Sequence, residues 1–136
     1  MTKNNKPGMG MQISLWIGQI MLAAMFGMAG VMKTFTPVVD LAKKLPWADQ
    51  VPEALVRFIG ISELAGAIGL ILPAFLRFFP GFLTPLASLG LAVIMALAAG
   101  FHGTRGEMSA LPINAALGAV ALFVTWGRFF KAPLSK

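Results

Sequence analysis

The chain has 136 residues, 57% of them hydrophobic and 12% charged, where a soluble domain carries roughly 25% charged residues. This is the composition of an integral membrane protein. The absence of cysteine excludes disulfides, thiol relays and Cys-ligated metals within the chain, and a single histidine excludes a bis-His haem site made by one copy. The net charge of +6 points to anionic headgroups and a positive-inside bias rather than to nucleic acid.

Residues 1–12 are polar, with Gly, Pro and two lysines, and read as a flexible N-terminal tail. A cleaved signal peptide is not expected, because the apolar run that follows is long and leads into a further hairpin. That run, about 13–32, is the first span and holds the roughly 20 residues needed to cross a bilayer. Gln19 is its one strongly polar interior residue, Ala23, Gly27 and Gly30 make a small-residue seam, and Lys33 closes it. Its methionines (Met21, Met25, Met28, Met32) read as core or lipid-facing filler.

Thr36-Pro37 predicts a helix start, with Thr as N-cap and Pro at the first helical position. Val38, Leu41, Ala42 and Leu45 then share one face, with Asp40 and Lys44 as an i,i+4 pair on the other. This is a short amphipathic interfacial helix, ended by Pro46, with Trp47 placed at headgroup level. Pro52 starts the second span, about 55–72, and Glu53 can pair with Arg57. An aromatic turn around Arg77 leads to the third span, about 84–102, which ends at His102. A Gly- and Ser-bearing loop precedes the fourth, about 112–130, opened by Pro112 and followed by the basic tail 131–136.

The fold class is therefore all-α: a transmembrane four-helix bundle over 13–130. Four spans put both termini on one side, together with Lys3, Lys6, Arg77, Arg128, Lys131 and Lys136, against Lys33, Lys43, Lys44, Arg57 and Arg105 opposite. Six against five favours both termini in the cytoplasm. The four loop acids, Asp40, Asp49, Glu53 and Glu107, all fall on the other side.

The chemistry-bearing candidates lie in that other half. Glu63 sits inside the second span, roughly 12 Å from its start at 1.5 Å per residue, where a carboxylate costs on the order of 3 kcal/mol or more. It must face protein or water, with Lys33, His102 or Asn114 as the partners at that level. Each has a plainer role: Glu63 as interhelical glue, His102 as an interfacial helix end, Asn114 as an interhelical hydrogen bond, Lys33 as a snorkelling anchor. No phosphate loop, metal-spaced cluster or nucleophile elbow is present.

The order of GMAGVMKTF, LPWADQVPEALVRFIGISELAGAIGLILP, PLASLGLAVIMALAAGFHGTRGE, LPINAALG and TWGR resembles the DoxX-like family of small bacterial four-span membrane proteins. The resemblance covers about residues 14–129, and its specific part is the pattern Lys33, Glu63, His102, Asn114. It implies a four-helix bundle in the bacterial inner membrane. Some members are named as subunits of quinone-linked oxidoreductases acting on sulfur compounds, others with oxidative-stress or thiol-related complexes. Three readings follow, in order. The first is an accessory or structural membrane subunit associated with an oxidoreductase system, with no in-chain cofactor and with a homo-oligomer or other membrane subunits as partners beside the lipid bilayer. The second is a quinone- or lipid-binding bundle using Glu63 and His102. The third is a small transporter or proton pathway.

Overall fold

The computed structural model describes residues 6–134; the first five residues and the last two, which belong to the expected tails, lie outside the described residues. Four long helices and one short one account for the architecture: α1 Met9–Phe35, α2 Val38–Lys44, α3 Glu53–Phe75, α4 Leu83–Thr104 and α5 Leu111–Trp126. The last continues as a wider, π-type turn over Gly127–Lys131. Among the described residues there is no strand, and all four long segments are long and apolar enough to cross a membrane. The molecule is an all-α, multi-pass membrane bundle.

The helices form a ring. α1 packs most extensively on α3 and α4 on α5, with α3 on α4 and α1 on α5 closing it. The register at the close approaches runs in opposite directions along each pair. Gly27 faces Ala67 while Gly30 faces Gly60 and Leu64, so α1 and α3 are antiparallel. Gly66 faces Leu91 and Gly69 faces Ala87; Gly18 faces Val124 and Gly127 faces Leu15. The topology is up-down-up-down, with the start of α1 and the close of α5 at one end.

The centre is apolar, built from Leu22, Phe26, Ala67, Leu70, Leu91, Met95, Ala121 and Val124. A second, smaller cluster sits under the α1–α3 connection, where Leu41, Ala48 and Val56 are buried with Met32, Leu45, Trp47 and Val51 against them. Large apolar side chains such as Ile17, Ile20, Phe58, Ile68 and Leu97 remain on the outer faces. In a bilayer these positions meet hydrocarbon, which has no water for them to avoid.

Several local expectations shift. α1 starts at Met9, within the stretch read as tail, and Gln12 in its first turn is tied across the bundle to Arg128. α3 runs through Pro73 to Phe75 rather than stopping at the proline. Proline has no N–H to offer the carbonyl of Gly69, four residues earlier. The Thr84 hydroxyl donates to that carbonyl instead, at 3.1 Å, so α4 supplies what α3 lacks. α2 begins one residue late, with Pro37 as its N-cap and no side-chain cap from Thr36. Its Asp40 meets Lys43 at 3.4 Å rather than Lys44.

Candidate functional site

Polar side chains gather at two places, one at each end of the bundle. The first lies where α1 and α3 cross most closely. A Cβ built on Gly30 would stand 2.7 Å from Leu64 N, and one on Gly60 would stand 2.7 Å from Lys33 Cβ. Only glycine permits this approach of backbones. It places Lys33 of α1 over the bare backbone of Gly60, within reach of Glu63 one turn further along α3.

Lys33 Nζ donates to both carboxylate oxygens of Glu63, at 2.8 and 3.0 Å. Glu63 is 1% exposed. The cost of burying the carboxylate is offset by a cation held in contact with both its oxygens. Arg57 secures the same corner: Nη1 donates to the carbonyls of Lys33 at 2.9 Å and Thr36 at 2.6 Å, the unsatisfied C-terminal acceptors of α1. Its Nη2 meets Glu53 at 3.0 Å.

A chain of contacts then leads across the end of the bundle. Lys33 Nζ lies 5.9 Å from the centre of the Trp47 ring, within cation–π range. Trp47 stands edge-on to Phe101 at 5.9 Å and to His102 at 6.2 Å. It is thus a packing residue between cation and histidine as well as an interfacial one. His102 Nδ1 is 3.2 Å from Glu107, whose other oxygen accepts from Arg105, and Arg105 also donates to Gln50. The hydrogen bond from Arg105 holds the Glu107 carboxyl below the usual carboxylate range, against a smaller opposing effect of burial and with help from His102.

Of the four residues singled out from the sequence, Lys33 and Glu63 are in direct contact. His102 joins them through Trp47 and takes Glu107 as its own partner. Asn114 stands apart, buried near the start of α5 with its Nδ2 unpartnered among the described residues. It lines a groove of about 430 Å³ between α4 and α5. A second groove, of about 500 Å³, runs between α3 and α4 past Gly66, Gly69 and Ala87. Both are apolar, and neither is lined by Glu63 or His102. Among the described residues, no three His, Asp or Glu side chains come together at metal-binding distance.

The second polar place, at the end that holds the termini, was missed. The charge count from the sequence places Arg128 only among the cations on the side of the termini. Arg128 is instead 2% exposed. Its Nε donates to Gln19 Oε1 at 2.5 Å, and its Nη1 to Gln12 Oε1 and to the Ala132 carbonyl, both at 2.8 Å. Gln19 Nε2 passes the connection on to the Leu70 carbonyl at 2.8 Å, and the Trp16 ring lies 5.3 Å from the guanidinium carbon. The sequence did carry a signal: Gln12, Trp16 and Gln19 are spaced i, i+4, i+7 on one helical face.

The profile of the DoxX-like family matches residues 17–124, a stretch that takes in Lys33, Glu63, His102 and Asn114. No curated protein and no solved structure matches the chain.

Proposed function

The chain belongs to the DoxX-like family, and on that premise we propose that it is a non-catalytic accessory subunit of a membrane oxidoreductase system. In this reading it lies in the bacterial inner membrane with both termini in the cytoplasm. The observation that carries the reading is the engagement of Glu63. An acid that shuttles protons or binds a ligand needs a route by which the proton or the ligand reaches it. Here Lys33 occupies both oxygens in a nearly closed position. The pair locks the α1–α3 hairpin, and the small-residue grooves between α3, α4 and α5 are shaped to take further helices.

Purification in mild detergent followed by native mass measurement tests this. A stable partner or a homo-oligomer supports it, and a lone monomer with nothing co-purifying sinks it. The same preparation decides the quinone alternative, in which Glu63 or His102 would exchange its present partner for a quinone oxygen. Solvent extraction and mass spectrometry would then find quinone above the bulk lipid ratio. Orientation is read from a Ser135→Cys variant, which should react only with reagents admitted to the cytoplasm.

A further inference from the structure

We propose that Arg128 anchors a phosphate-binding site at the terminal end of the bundle, its ligand being the headgroup phosphate of an anionic phospholipid. Arg128 is buried, yet every partner it has among the described residues is neutral: two Gln side-chain oxygens, one backbone carbonyl and the face of Trp16. Its Nη2 is buried with no hydrogen-bond partner among the described residues. A buried guanidinium without an anion is costly, and a guanidinium fork matches a phosphate in shape and charge.

Depth and field agree with that ligand. Arg128 lies three residues before the end of the membrane-length segment Met108–Lys131, which is roughly 4.5 Å along a helix and so at headgroup level. Lys131 beside it lies 5.5 Å from the Trp126 ring, the arrangement of an interfacial anchor. Among the described residues, this end carries Lys6, Arg77, Arg128 and Lys131 and no acid, while the opposite end carries all four loop acids. The bond from Arg128 Nη1 to Gln12 is only partly buried, so a phosphate oxygen entering on the Gln12 side displaces the Gln12 oxygen and reaches the guanidinium fork.

The test uses the full chain purified in detergent, with phosphatidylglycerol, diacylglycerol or inorganic phosphate added in turn. Native mass spectrometry should show phosphatidylglycerol retained about tenfold over diacylglycerol, which has the same acyl chains and no phosphate, the ratio expected of one charge-assisted bond. Arg128→Met should abolish that preference, while Lys131→Gln, which removes the neighbouring cation and its contact with Trp126, should leave most of it. A shift of the Arg128 guanidinium signal on lipid addition, read by nitrogen NMR on a chain with only four arginines, needs no variant to fold. If inorganic phosphate alone moves that signal as far, the phosphate site stands and its source is solution. Equal retention of the two lipids by the wild-type chain, or an Arg128 signal unmoved by either phosphate source, overturns the site.

Discussion

Lys33, partly buried, and Arg128, fully buried, are both cations drawn into an apolar bundle, and they are held in opposite ways. Lys33 faces a carboxylate that takes it with both oxygens. Arg128 faces three neutral oxygens and an aromatic ring. At the Lys33 end each charge is the remedy for the other, and neither is tolerable alone. At the Arg128 end the surroundings solvate a cation without neutralising it. The first arrangement is self-sufficient; the second leaves an N–H and a charge without a partner among the described residues.

The largest effect should come from breaking the self-sufficient pair on one side. Lys33→Met strands Glu63 as an uncompensated buried carboxylate, and we expect a loss of about 3–5 kcal/mol. The double variant Lys33→Met/Glu63→Leu should recover most of it, since no charge is left behind. Glu63→Gln should fall between, keeping one acceptor for Lys33 and losing the charge. Thermal melts in detergent read all three; a double variant no better than the single one would show that the pair is not the source of the loss.

Arg128→Met is the matching change at the other end and should cost less, about 1–3 kcal/mol, because it leaves behind only neutral acceptors. A loss as large as that of Lys33→Met, with no anionic lipid present, would erase the distinction between the two ends.

A smaller effect is expected at the crossing that sets up the pair. Gly30→Ala drives a methyl against Leu64 N at 2.7 Å and Gly60 O at 2.8 Å, whereas Gly100→Ala meets nothing within 4 Å. The first should lose about 1–2 kcal/mol through overpacking of backbone on backbone. The second should gain up to about 1 kcal/mol from helix propensity. The same melts decide it: equal behaviour of the two variants would mean that α1 and α3 do not touch at Gly30.

What the sequence made legible follows the same physics. A carboxylate in an apolar span has so few affordable environments that Glu63 announces its need for a partner, and Lys33 at the matching depth was among the few choices. The four spans were readable because hydrocarbon thickness fixes their length. Depth, however, does not give rotation about a helix axis. His102 turns to Trp47 and Glu107, and Asn114 turns to the α4–α5 groove. Arg128 was hidden by the opposite ambiguity. An arginine near a span end has a long stem and every opportunity to reach water, so only the face shared by Gln12, Trp16 and Gln19 marked it as turned inward. Pro73 misled in the same way, because the Thr84 hydroxyl that lets the helix continue comes from another span.

The smallest effect lies outside the membrane and bears on how far the Lys33 end extends. Glu107 ties Arg105 and His102 together at the α4–α5 loop, and its carboxyl is held below the ordinary value of 4.5, first by the hydrogen bond from Arg105. A carboxyl whose folded-state pKa is depressed contributes stability that is fully present above the unfolded value. That contribution is lost as the pH falls through the folded one. The wild-type melting temperature should therefore decline as the pH drops below about 4.5, as Glu107 takes up its proton and releases its partners. Glu107→Gln removes the titrating group, so its melting temperature should start slightly lower and vary less over that range. Exposure of this corner to solvent keeps the difference small and sensitive to salt. If the two profiles run parallel through the acid range, Glu107 is not part of a connected charge system. The Lys33 end would then stop at Trp47, with His102 no more than a packing neighbour.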